Sequence, residues 1–116
     1  MKLEAVYQDN NARENNGIGY SVYNGKLYVV IRGGFGLEDL ADFCKEVRER
    51  CKRDLVIGFE EGAQIRDGGI AGILLFVRDG EYRVELWNNS RDVAASLGMN
   101  NYTIKNGKLV WSKRLC

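Results

Sequence analysis

Asparagine-glycine and aspartate-glycine pairs divide this sequence at three places, Asn24-Gly25, Asp79-Gly80 and Asn106-Gly107. Each pair separates two runs in which apolar residues alternate. This arrangement is the strongest short-range signal for a β-hairpin, because a type I′ turn needs positive φ at both central residues. The sequence therefore predicts three tight hairpins.

The two-residue turns also predict which residues face each other across the strands. In the first hairpin Tyr23 would oppose Lys26, and Val22 would oppose Leu27. A slip of one residue would turn the apolar side chains to the other face of the sheet, so the expected register is strict. The second predicted hairpin covers residues 73–87.

Residues 37–51 have the spacing of an amphipathic helix. Apolar residues recur three, four and seven positions apart, and acidic residues precede basic ones, as the helix dipole favours. Ser90 is predicted to cap a short second helix that ends at Leu97, with Gly98 as its left-handed stop. The buried stripe predicted for the long helix consists of Leu37, Leu40, Ala41, Cys44, Val47 and Cys51, with Phe43 at its edge.

Together these elements predict a single α+β domain over residues 1–116. The length is sufficient for one hydrophobic core and too short for two. With a first strand at residues 2–8 and another at 55–59, the expected order is βββα-βββα-ββ. The expected architecture is a mostly antiparallel, hairpin-rich sheet packed by one long and one short helix.

The sequence contains no histidine. This excludes Ser-His and Cys-His nucleophilic catalysis and zinc sites built on histidine. Cys44 and Cys51 would lie too far apart on one helix to form a disulfide, so reduced thiols are expected. Because few routes to catalysis remain, the composition favours a protein that is not an enzyme, and it implies no cofactor.

Charges are almost balanced, with 17 basic and 16 acidic residues and a net charge of +1. Nucleic acids and anionic membranes attract strongly basic chains, so neither is an expected partner. No apolar run approaches the roughly 20 residues that span a bilayer, and the first residues lack the apolar core of a signal peptide. The expected location is the cytoplasm.

A glycine-rich loop precedes the long helix and is one candidate ligand site. Backbone amides at a helix N-terminus can hold a phosphate, Phe35 could stack on a base, and arginines could bind the phosphate. The loop lacks the Lys and Ser/Thr of a P-loop, and Glu38 and Asp39 would repel an anion, so a plain tight turn is the other interpretation. The candidate nucleotide-binding residues are Arg32, Gly33, Gly34, Phe35, Gly36 and Arg66.

Three carboxylates, Glu60, Glu61 and Asp67, lie in a second glycine-rich stretch. Oxygen ligands of this kind can bind a divalent cation or act in acid-base catalysis. Their spacing matches no calcium-binding loop, so a solvated loop is the simpler interpretation. A carboxylate-dependent metal-binding enzyme is the hypothesis that this stretch leaves open.

The predicted second hairpin carries large side chains on the face that alternation would make polar. This face is either covered by the long helix or offered to a partner, for which aromatic residues and arginine are typical anchors. The candidate interface residues are Leu74, Phe76, Arg83 and Trp87.

The leading functional hypothesis is a non-enzymatic binding or inhibitor protein that occupies the surface of a partner, as small phage or mobile-element inhibitors do. The expected partner is another protein or a second copy of the chain. A small nucleotide ligand at the glycine-rich loop is the first alternative, and the metal-binding enzyme is the second.

Overall fold

A five-stranded mixed sheet packed by helices organises the protein in the computed structural model, which describes residues 13–15, 17–66, 68–99 and 101–111. The strand order of this sheet is β1-β2-β3-β5-β7, and β4-β6 and β8-β9 form two smaller sheets. The predicted α+β class is confirmed. In chain order the elements are β1 (Arg13–Asn15), β2 (Ile18–Tyr23), β3 (Lys26–Ile31), β4 (Gly34–Phe35), α1 (Leu37–Arg50), β5 (Asp54–Phe59), β6 (Gln64–Ile65), α2 (Gly69–Asp79), β7 (Arg83–Asn88), α3 (Arg91–Met99), β8 (Tyr102–Lys105) and β9 (Lys108–Trp111).

Two of the three predicted hairpins are present. Asn24 and Gly25 have φ values of 51° and 76°, and Asn106 and Gly107 have values of 51° and 77°, as a type I′ turn requires. The register between β2 and β3 is the predicted one, with Val22 opposite Leu27. Local turn chemistry alone therefore fixed the pairing of both hairpins.

The prediction of a mostly antiparallel sheet is wrong. Strand β5 pairs in parallel with β3 on one side and with β7 on the other, so half of the strand pairs in the large sheet are parallel. A parallel pair needs a long crossover, which α1 supplies between β3 and β5 and α2 supplies between β5 and β7. The continuous burial of β5 from Leu55 to Phe59 is typical of such a strand.

The predicted second hairpin is also wrong, because residues 69–79 form α2. Ile70, Ile73, Leu74 and Val77 have helical spacing, and a run that is apolar at almost every position fits a helix as well as a strand. Gly80 has a φ of −84° and donates to the Phe76 carbonyl, so Asp79-Gly80 ends a helix. In the described ranges, the expected order βββα-βββα-ββ is therefore replaced by one with three helices.

The buried face of α1 is rotated from the predicted stripe. Phe43 and Val47 are fully buried, Leu40 and Cys44 pack partly against the core, and Leu37 is 61% exposed. Ala41 is exposed as well. The core that α1 and α2 cover lies on the sheet face of Tyr20, Val29, Ile57 and Leu86.

The cysteines that the structure describes are free thiols. Cys51 is buried and donates to the Asp54 carbonyl at 3.4 Å. Burial raises the pKa of both the Cys44 and the Cys51 thiols, which keeps them protonated and weakly nucleophilic. The strand predicted at residues 2–8 and Cys116 lie outside the described residues.

In the described ranges, no helix is suited to membrane insertion. None of α1, α2 and α3 combines the length and apolar character that crossing a bilayer requires.

Two glycine-to-alanine changes test the packing of α2. A Cβ on Gly69 would lie 2.9 Å from the Phe35 carbonyl oxygen, whereas a Cβ on Gly98 of α3 meets nothing within 4 Å. We expect Gly69→Ala to lower the free energy of unfolding by about 1–3 kcal/mol, because backbone must shift. Gly98→Ala should raise it by up to about 1 kcal/mol through helix propensity. Urea denaturation of both variants measures the difference, and equal effects would contradict the packing.

Candidate functional site

The loops that follow β3, β5 and β7 lie at one edge of the sheet. Because these three strands run parallel, their carboxyl ends point the same way, and this edge is the usual binding position in open sheets with parallel strands. The loops begin at Arg32, Glu60 and Asn89. They contain most of the candidate ligand residues.

The structure brings the glycine-rich loop and Arg66 together. Strand β4 pairs in parallel with β6, so that the Arg66 amide donates to the Phe35 carbonyl at 2.8 Å and the Gln64 amide donates to the Gly33 carbonyl at 3.0 Å. The Arg66 guanidinium lies over Gly34 and Gly36, where a Cβ would come within 3.3 Å of its Nε. Sequence reasoning grouped these residues correctly in space.

Carboxylate side chains already pair with the donor groups around this loop. Arg66 forms an ion pair with Glu38 and lies 3.5 Å from Asp39, and the Asp39 carboxylate accepts the Gly36 amide proton at 3.0 Å. Gly36 is therefore the N-cap of α1, the Asp39 carboxylate bonds back to its amide, and Glu38 adds a second negative charge in the first turn. An incoming phosphate would have to displace one carboxylate and approach the other.

Phe35 is fully buried in the core, where its ring packs edge-on against Phe43 at 5.7 Å between centroids. A ring in this position has no face to offer a base. Arg32, the other candidate cation, lies 3.6 Å from Glu60. The arrangement is that of a tight turn held by ion pairs.

The carboxylate stretch is spread out. Glu60 faces Arg32, Glu61 is exposed, and Asp67 lies outside the described residues. Within the ranges that the structure describes, no group of three or more Cys, Asp or Glu side chains is placed to hold a metal ion.

Ser90 joins the loop after β7 to the loop after β5. Its hydroxyl accepts the Val93 amide proton at 3.1 Å, which confirms the predicted cap, and donates to the Ala63 carbonyl at 2.5 Å. The side chain is 2% exposed. The predicted stop at Gly98 is wrong, because Gly98 lies inside α3 and the residue with positive φ is Asn101.

The four candidate interface residues do not share a face. Phe76 lies on α2, between Phe43 at 5.9 Å and Tyr82 at 5.6 Å between ring centroids, and Leu74 packs partly against the same core. Arg83 and Trp87 lie on β7, with Arg83 3.0 Å from Asp54. The shared face depended on a strand at residues 73–77, and that strand is a helix.

Sequence reasoning missed a surface that we call the helix seam: Leu37, Leu40, Gly68, Gly72 and Leu75. Glycines four residues apart at the start of α2 let α1 approach closely, since a Cβ on Gly72 would overlap Leu40 and one on Gly68 would lie 3.0 Å from Leu37. Leu37 and Leu75 remain 61% and 52% exposed. The spacing of the two glycines was the available signal, and it was assigned to a loop.

No known protein family matches this chain. Its sequence likewise matches no curated protein.

Removing the Ser90 hydroxyl tests how the loops are held. Ser90→Ala deletes the cap of α3 and leaves the Ala63 carbonyl without its donor, so we expect a loss of about 2 kcal/mol in the free energy of unfolding. Asn89→Ala, at the exposed neighbouring position, should stay within about 0.5 kcal/mol of the parent. Thermal and urea melts compare them, and a neutral Ser90→Ala would show that the two contacts are not formed.

Proposed function

We propose that this chain is a non-enzymatic binding protein that acts by occupying the surface of a partner protein, and that the helix seam is the part of its surface that docks. The observation that carries the proposal is the exposure of Leu37 at the start of α1 and of Leu75, which follows Gly72 on α2. These two large aliphatic side chains offer apolar surface to another protein.

The surroundings of the seam support a protein partner. Leu37 is followed by the Glu38–Arg66 ion pair, in which both side chains are more than half exposed. An apolar centre with a charged, solvated rim is the usual composition of a protein interface. The phage or mobile-element inhibitor class remains part of this proposal as the kind of small protein that works by surface occupation alone.

The seam is also pre-organised. Leu40 is seated against Gly72, and Phe76 on the same helix is held between two aromatic rings. A surface that is rigid before binding loses little conformational entropy on association. This favours docking of folded surface on folded surface.

A single charged substitution tests the seam. We expect Leu75→Lys to weaken partner binding by about 2 kcal/mol or more, which is roughly 30-fold, because a lysine at the centre of an interface must be desolvated. Its melting temperature should stay close to that of the parent, since the position is exposed. Affinity capture from the source cells, followed by a binding titration with the captured protein, measures the loss.

Met99→Lys is the matched control, because Met99 is 85% exposed on α3 and does not belong to the seam. It should retain the partner. Equal capture by Leu75→Lys and the parent would overturn the docking proposal. Analytical ultracentrifugation of the same proteins shows whether the partner is a second copy of the chain.

The nucleotide alternative makes a different prediction. If the glycine-rich loop bound a nucleotide, saturating ATP or GTP would raise the melting temperature of the parent, and Arg66→Ala would abolish the rise. Because Asp39 and Glu38 already occupy the first turn of α1, we expect no rise that depends on Arg66. A clear rise that depends on Arg66 would transfer the functional assignment to the loop.

A further inference from the structure

A cleft with a volume of about 610 Å³ borders the outer edge of β7. Its walls are β7, α3 and the β8–β9 hairpin. Clefts of roughly 300–1,000 Å³ are typical of small-molecule sites. The helix seam has no residue in this lining, so the cleft is a separate feature of the molecule.

The lining is uncharged. Apolar side chains of Leu86, Leu97 and Ile104 are combined with the rings of Trp87 and Tyr102. The remaining side chains with hydrogen-bonding groups are two asparagines and Thr103. A charged ligand would lose its hydration here without gaining an ion pair, so the chemistry favours a neutral one.

Two of the polar side chains are held in place. The Trp87 indole donates to Glu85 at 2.7 Å. The Asn88 side chain accepts the Ser90 amide proton at 2.9 Å and donates to the Ser90 carbonyl at 3.0 Å. The Asn88 amide retains one further donor and one further acceptor site. Fixed orientation at the mouth of a cleft is what a specific ligand site requires.

The hairpin that closes the cleft is seated on β7. The Leu86 amide donates to the Gly107 carbonyl at 2.7 Å, and a Cβ on Gly107 would lie 2.9 Å from Cγ of Glu85. Gly107 therefore has a positive φ and also lies close to the Glu85 side chain, and both conditions favour glycine. Glu85 contacts the hairpin turn through this approach and orients Trp87 through its carboxylate.

We propose that this cleft binds a flat, uncharged heterocycle with hydrogen-bonding groups on its rim, of the size of a nucleoside. The aromatic rings supply stacking, which tolerates any flat ring. The asparagine amides match the paired donor and acceptor of a base edge. The lining contains neither a cationic side chain nor the N-terminus of α3, so a phosphate finds no partner.

The test is a titration of the full chain with adenosine, monitored by two-dimensional amide NMR. We expect saturable shifts of the Trp87 indole and the Gly107 amide, with little change at Leu75 on the helix seam. Ala94→Trp fills the cleft and should raise the dissociation constant by about tenfold or more. Ala95→Trp, at an exposed position of the same helix outside the lining, should leave it unchanged.

Several results would overturn the inference. They are the absence of saturable shifts up to the solubility limit of adenosine, equal loss of binding in the two tryptophan variants, and equal affinity for adenosine monophosphate. Binding of methyl glucoside in place of adenosine would show that the cleft takes a sugar and that the heterocycle class is wrong. None of these outcomes depends on partner capture, so this test and that of the helix seam fail separately.

Discussion

The placement of β5 between two parallel neighbours is the constraint on which the rest of the structure depends. Each parallel pair requires a crossover, and the two crossovers place α1 and α2 side by side on one face of the sheet. The helices can lie this close because Gly68 and Gly72 admit Leu37 and Leu40. The same pairing collects the loops after β3, β5 and β7 at one edge, where Arg66 meets the start of α1.

The sequence predicted the features that depend on neighbouring residues, and it did not predict those that depend on contacts between distant parts of the chain. The turns at Asn24-Gly25 and Asn106-Gly107 are decided by the φ preferences of two residues, and they were predicted together with their register. Residues 70–77 are apolar at nearly every position and satisfy both periodicities, so local pattern did not separate strand from helix. Packing of Gly72 against Leu40 favours the helix, and these two residues lie about thirty positions apart in the chain.

In the candidate sites too, local features were predicted and those that arise from long-range contacts were not. Arg66 and the glycine-rich loop were grouped correctly, because glycines and a nearby cation are visible in the sequence. The burial of Phe35 and the capping contact of Asp39 were not predicted, since both arise only when β4 pairs with β6 and α1 begins at Leu37. The exposure of Leu37 was missed because periodicity identifies an apolar stripe without showing which margin of it reaches solvent.

The seating of the β8–β9 hairpin has a consequence for how the sheet avoids self-association. In the parallel ladder with β5, alternate residues of β7 point their N–H groups outward, and Leu86 is one of them. An uncovered outer strand is a template for unwanted pairing with other chains. The hairpin lies across that strand, and one backbone hydrogen bond, from Leu86 to Gly107, joins the two in the described residues. The hairpin thus covers the outer strand with a second element and leaves less of its backbone free to pair with another chain.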